Sequence, residues 1–240
     1  MTVSVVEGAT ALEAWRAGCM LLQGARGQAS NLLTTVTRPC EIRDEWLLQH
    51  SPARFKAGAD DARDVANTLF PQRTYERMAT RQQFYAHYLR VHDRAHRWQG
   101  GRHAWGTYFE RLIRFPPDGV NQLERAIEKL NTWPQRNTTG LVFHLSSPAV
   151  DAPRTRGGPC WQFAEILWNA DDTLDLVVVY RNHDFFNKVL GNFVGLGRLL
   201  QFICVATNKH PGELVCHSVH AYFDCSQQQL RSLINDVQQR

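Results

Sequence analysis

The sequence has no run of about 18 uncharged apolar residues, so a membrane span is not expected. Its longest apolar stretches, such as 176–180, have the length of a strand. The opening residues, Met-Thr-Val-Ser-Val-Val-Glu, lack a basic segment followed by an apolar one, so no secretory leader is expected. The six cysteines, at 19, 40, 160, 204, 216 and 225, form no Cys-x-x-Cys pair. Reduced thiols and a cytoplasmic location are the simplest expectation. Cys216, His217, His220 and Cys225 are metal-ligand types, but their spacing fits no standard zinc pattern, and no metal is expected. Internal repeats, low-complexity runs and linkers are lacking too. Lysine is scarce: Lys56, Lys129, Lys188 and Lys209 are the only ones among 27 basic residues. A net charge of +4 falls short of the footprint of a nucleic-acid binder, so no such partner is expected.

What is present is an ordinary globular composition. Hydrophobic residues make up 43% and charged residues 21%, which excludes global disorder, collagen and coiled coil. A length of 240 residues can bury a sizeable core, and residues 1–240 read as one domain. The arginine excess has a chemical reading, because guanidinium forks bind carboxylate and phosphate bidentately. Genome composition gives the same skew.

Periodicity places helices at 10–23, 60–69, 72–96, 119–131, 192–206 and 227–237. Strands are predicted at 31–37, 141–145, 160–168, 174–181 and 213–223. Asn169-Ala-Asp-Asp172 suits a hairpin turn, His210-Pro-Gly212 a further turn, and 148–158 a loop. The pattern fits an α+β fold with a largely antiparallel or mixed sheet flanked by helices.

Cys160 is the cysteine with a chemical context. It follows Arg154-Thr-Arg156-Gly-Gly-Pro and opens one strand of the hairpin, while Arg181 closes the other. A guanidinium beside a thiol favours the thiolate and activates it as a nucleophile. A buried structural cysteine with a surface arginine nearby is the bland alternative. Asp184 and Asn192 could each be a helix cap. His220 and Tyr222 share one strand face and could be plain sheet surface.

The order of these residues carries more. Gly158-Pro-Cys160 is followed by Tyr180-Arg-Asn-His-Asp184, Gly191-Asn192, Pro211-Gly-Glu213 and His220-Ala-Tyr222. This resembles thymidylate synthase, whose pattern runs Pro-Cys-His, Arg-Ser-x-Asp, Pro-Phe-Asn, Pro-Gly-Glu, His-x-Tyr. Upstream, Ala104-Trp-Gly106 with Arg111, then Pro117-Asp-Gly119 and Asn121-Gln122, is similar to its Tyr-Gly-x-x-Trp-Arg and Asp-Gly…Asp-Gln segment. The resemblance covers residues 104–225, with a weaker match at Arg26-Gly27, where the family has a phosphate-binding arginine loop.

The resemblance implies a thymidylate-synthase-like fold, a homodimer packed across its sheet, and folate-dependent transfer of a one-carbon unit to C5 of a pyrimidine nucleotide. The cofactor implied is 5,10-methylenetetrahydrofolate, and the substrate UMP, dUMP, CMP or dCMP. The family's cysteine adds to C6 of the base, which makes C5 nucleophilic; the product carries a methyl or a hydroxymethyl group. Carried over residue by residue, Cys160 is the nucleophile. Arg181 binds phosphate and lowers the thiol pKa. Asp184 holds the pterin. Asn192 reads the base edge, and an amide suits uracil N3–H and O4. His220 and Tyr222 meet the sugar, and Arg26 the phosphate. The alternative is a nucleotide-binding protein of this fold that has lost folate chemistry or acts on a different substrate.

Departures from the family pattern are numerous. The histidine after the nucleophile is Trp161, and the serine after the arginine is Asn182. The paired arginines that members lend to the partner's phosphate site are missing; Pro134-Gln-Arg-Asn-Thr138 has one, and Arg154 or Arg156 is the substitute expected. The glutamate-bearing helix has no clear match, and Asp64 or Asn67 in segment 63–69 is its stand-in. The sequence ends at Arg240, 18 residues after Tyr222, where the family continues into a tail that closes over the folate. That favours hydroxymethyl transfer, in which water is a reagent, or a divergent substrate.

Overall fold

The computed structural model describes residues 3–98, 105–136, 140–153 and 157–239. Arg154, Arg156 and Ala104 lie outside the described residues. The chain opens with β1 (Ser4–Gly8), α1 (Ala11–Gly24) and β2 (Gln28–Val36). Five helices follow: α2 (Asp44–Gln49), α3 (Ala62–Leu69), α4 (Gln72–Tyr75), α5 (Arg81–Trp98) and α6 (Tyr108–Ile113). Next come α7 (Gln122–Thr132), β3 (Val142–His144), α8 (Pro148–Asp151), β4 (Trp161–Trp168) and β5 (Thr173–Tyr180). The chain ends with β6 (His183–Asp184), α9 (Val189–Thr207), β7 (His210–Tyr222) and α10 (Gln227–Gln239).

Seven strands form one sheet in the order β1-β2-β7-β5-β4-β3, with β6 pairing to β7 beyond the end of β5. The pairs β1/β2, β5/β7 and β6/β7 are parallel, while β2/β7, β3/β4 and β4/β5 are antiparallel. The sheet is therefore mixed and flanked by helices, compatible with the α+β class.

Alternation decides which face is covered. On β5, Leu174, Leu176, Val178 and Tyr180 are buried, while Thr173, Asp175, Val177 and Val179 are half-buried. Helices α1 and α9 pack on the covered face, and α3 packs against α9. Close packing of α3 and α9 needs glycine: a Cβ on Gly191 would lie 2.6 Å from the Ala62 carbonyl oxygen. The opposite face shows Val5, Leu33, Phe163, Val177, Val179, Val215 and Val219 half-buried or exposed.

Three differences from the sequence reading have local causes. Segment 72–96 is two helices, because Thr80 starts a new one, its hydroxyl accepting from the Gln83 N–H. His210-Pro-Gly212 is the start of β7, paired with Thr173 and Leu174; the side chain of Asp175 receives the Glu213 N–H there. The loop at 148–158 contains α8, opened by Pro148 at its first turn. Helix α9 is long and apolar enough to cross a membrane by length and composition, with mean hydropathy 1.6, yet 83% of it is buried inside the fold. Arg198 interrupts its apolar run and pairs with Asp44.

Candidate active site

Strands β5 and β7 run parallel, and β2 and β4 run against them, so β5 and β7 end where β2 and β4 begin. Cys160, Arg181, Asp184, Asn192, His220, Tyr222 and Arg26 stand at this end. Cys160 immediately precedes β4, and Arg181 immediately follows β5. Asp184 lies in β6, His220 and Tyr222 close β7, Arg26 precedes β2, and Asn192 lies in the first turn of α9.

Cys160 and Arg181 are neighbours through the hairpin: the Arg181 N–H donates to the Cys160 carbonyl at 2.9 Å. The Arg181 guanidinium is exposed, and its Nε donates to the Pro159 carbonyl at 3.2 Å. It has no carboxylate partner among the described residues, which leaves its outer donors available to an anion. The thiol of half-buried Cys160 is pushed up from its ordinary value. Burial is the largest cause, and Arg181 and Lys188 oppose it. Arg181 acts on the thiol in the expected direction, downward, but desolvation outweighs it.

Sequence reasoning missed Tyr108, which holds Cys160 in place. Its Oη accepts from the Cys160 N–H at 3.2 Å and the Trp161 N–H at 3.4 Å. Trp161, standing where the family has histidine, is wholly buried, and its indole N–H donates to the Phe163 carbonyl. Arg111, from the upstream motif, is a buried staple: its guanidinium pairs bidentately with Asp151 at 2.5 and 2.8 Å and donates to the Leu145 and Trp105 carbonyls.

Asp184 is buried and organises a turn. Its Oδ1 accepts from the Phe186, Asn187 and Asp224 N–H groups, and its Oδ2 from the Asn187 amide at 2.6 Å. This is the capping arrangement that an aspartate offers after a strand. One lone pair of Oδ2 remains beyond those bonds.

Asn192 is buried beside another residue that the sequence reading passed over. Its Nδ2 donates to Nε2 of His183 at 3.0 Å, and His183 Nδ1 lies 2.8 Å from Ser218 Oγ. His183 stacks flat on Tyr180, with centroids 4.1 Å apart and planes 5° from parallel. Burial lowers its pKa to about 3, so the ring is neutral. The Tyr180 hydroxyl is buried without a hydrogen-bond partner among the described residues. Ser218 was readable in principle, since Cys216, Ser218, His220 and Tyr222 alternate onto one face.

Towards the end of β7 this face opens. His220 and Tyr222 are half-buried and stack at 5.1 Å. His220 Nδ1 donates to Asn182 Oδ1 at 3.1 Å, and Tyr222 pairs in register with Gln28. The turn before β2 brings Arg26 to the same end. Arg26 has φ +59°, a left-handed conformation that closes α1, and its side chain is exposed.

The structure does not bring Asp64 or Asn67 to this end. Both line a separate cleft of about 330 Å³ with Arg63, Arg73, Glu76 and Arg198. The stand-in reading is corrected: α3 packs on α9 through Val65, Ala66 and Leu69, which turns Asp64 to solvent. A cleft of about 540 Å³ near Tyr75, Met78 and Arg81 contains no thiol or histidine, so volume does not mark the chemistry. The residues weighed as zinc ligands are dispersed: Cys216 is buried beside His183, whereas His217 contacts Asn31 and His220 contacts Asn182.

No protein-family model matches the chain. Curated relatives do. A protein of Methanococcoides burtonii named "Putative thymidylate synthase" is 31% identical over 135 residues, covering 55% of this chain and 59% of that one. One of Methanosarcina mazei with the same name is 28% identical over 116 residues, covering 48% and 51%. These matches support a thymidylate-synthase-like relationship. The chain spans about half the length of the curated relatives it matches.

Proposed function

We propose that the protein is a thymidylate-synthase-like enzyme that transfers a one-carbon unit to C5 of a pyrimidine nucleotide. One observation carries the reading. A thiol, an arginine with no carboxylate partner among the described residues, a buried amide and a His–Tyr stack stand at one end of the sheet, in the order of the family's motifs.

In this reading Cys160 is the nucleophile, and its Sγ adds to C6 of the base. The Tyr108 hydroxyl fixes the backbone that carries it. Arg181 and Arg26 hold the phosphate. A bound phosphate neutralises part of their charge, so positioning the base over Sγ matters as much as thiol acidity. His220 and Tyr222 contact the sugar, and Asn192 the base edge. Residues 1–240 act as one domain.

A tetrahydrofolate fits the site in kind. Its pterin presents N–H donors, and the free lone pair on Asp184 Oδ2 is an acceptor. When bound, 5,10-methylenetetrahydrofolate supplies the one-carbon unit. The valine-rich uncovered sheet face supports a homodimer packed through it.

A second reading, a nucleotide-binding protein without folate chemistry, is favoured by the four internal hydrogen bonds already on Asp184. Release of tritium from C5-labelled UMP, dUMP, CMP or dCMP tests the first. Release that needs methylenetetrahydrofolate and disappears in Cys160→Ala is the expected result. Nucleotide binding with neither tritium release nor tetrahydropterin binding favours the second reading and sinks the first.

A further inference from the structure

We propose that His183, held by Ser218, is the positioning residue that fixes which hydrogen-bonding edge Asn192 presents, and that it thereby selects uracil over cytosine nucleotides. The inference rests on the reading of Asn192 as the base contact. Its own observations are the Asn192–His183–Ser218 chain and the cage around the ring.

An asparagine amide can be flipped by half a turn, which exchanges its oxygen and nitrogen. Uracil offers a donor at N3 and an acceptor at O4, and cytosine the reverse. One amide orientation therefore matches uracil and the flipped one matches cytosine. Something must hold the orientation, because an amide free to turn presents either edge.

His183 supplies that hold. With Nδ2 of Asn192 donating to it, Nε2 is the acceptor of the ring. A neutral imidazole then carries its one proton on Nδ1, which faces Ser218 Oγ at 2.8 Å. One amide hydrogen is spent on His183. The other, together with Oδ1, makes the acceptor–donor edge that uracil needs. The opposite tautomer would put a proton on Nε2 and turn Oδ1 towards the ring, leaving the edge suited to cytosine. Packing opposes a turn of the ring that would trade its two nitrogens. Tyr180 lies flat against it, and Phe185 and Phe193 stand edge-on at 5.7 and 6.0 Å.

Ser218 is the lever. Ser218→Ala removes the oxygen that Nδ1–H meets and leaves the Cys216 thiol, 3.8 Å away, as a weaker partner. A buried donor without a good acceptor is costly, so the proton moves to Nε2 and the amide flips. His183→Met removes the acceptor and leaves the amide unbiased.

Two measurements test this. Nitrogen-15 NMR of histidine-labelled protein, with the His183 signal assigned from its absence in His183→Gln, reads the tautomer without any substrate. Calorimetric affinities for dUMP, UMP, dCMP and CMP read the selection. The expected results are the Nδ1–H tautomer in the wild type and a uracil preference that falls by roughly tenfold to a hundredfold in Ser218→Ala and His183→Met. An Nε2–H tautomer in the wild type overturns the inference whatever the protein binds. So does an unchanged preference in Ser218→Ala and His183→Met when both still bind nucleotide. Absence of binding to any of the four nucleotides overturns the proposed function, and the selection role falls with it.

Discussion

Replacing Arg181 by methionine removes the stronger of two cationic effects that oppose burial at Cys160. An opposite charge within about 4–6 Å moves a pKa by about 1–3. The Arg181 side chain is exposed, so solvent and salt screen part of the effect. The sign is upward, because loss of the cation leaves desolvation unopposed by it. Below the midpoint, the thiolate fraction then falls. Iodoacetamide alkylation of Cys160, followed by peptide mass spectrometry from about pH 7 to 10, measures this directly. The other thiols give little interference: burial holds Cys40, Cys204 and Cys216 at about 12 and Cys225 at about 11, and Cys19 is buried with its thiol well above the ordinary value. The Arg181→Met profile is expected to move to higher pH, with Arg181→Lys close to wild type. Superimposable wild-type and Arg181→Met profiles would refute the assignment of Arg181 as the counter-charge.

Tyr108→Phe strips the acceptor from two N–H groups, one of them buried, at bonds of 3.2 and 3.4 Å. A loss of about 2 kcal/mol is expected, seen as a melting temperature lower by about 4–8 °C; an unchanged melting curve contradicts it. Arg111→Met separates Asp151 from its bidentate partner in the interior and should cost about 3–5 kcal/mol, with urea denaturation as the readout and a change below about 1 kcal/mol as the contrary result. Gly191→Ala drives a Cβ to 2.6 Å from the Ala62 carbonyl and 2.8 Å from Val65, so α3 must shift on α9. Destabilisation of about 1–3 kcal/mol is expected, and a neutral effect in the same assay would show that the two helices are not packed this closely.

Much of the sheet was legible because its strands alternate and its hairpin turn is explicit. Residues 161–168 and 173–180 form β4 and β5 almost where periodicity puts them. The β1 strand was not, since five residues give too little alternation to separate from a polar start. Helix α9 was legible as a buried apolar helix, but its start at Val189 was not, because Lys188 provides no side-chain cap. Near the candidate site, Cys160 and Arg181 were legible as neighbours, since one hairpin joins the strand ends that carry them. Tyr108, His183 and Ser218 act through tertiary contacts: Tyr108 reaches Cys160 across 52 residues, and Ser218 reaches His183 across 35. No local pattern encodes such pairs. Asp64 was misplaced for the same reason, because helical periodicity ranks a polar residue as exposed without saying which cleft it faces.

The central claim is that Cys160 bonds covalently to a pyrimidine. Intact-protein mass spectrometry after incubation with the 5-fluoro analogues of UMP, dUMP, CMP and dCMP plus methylenetetrahydrofolate tests it most directly, because fluorine at C5 blocks the proton loss that releases the adduct. The expected result is a stable gain in mass for one base class in the wild type, mapped to the Cys160 peptide and absent in Cys160→Ala. No gain with any analogue, or an equal gain in Cys160→Ala, would contradict the account.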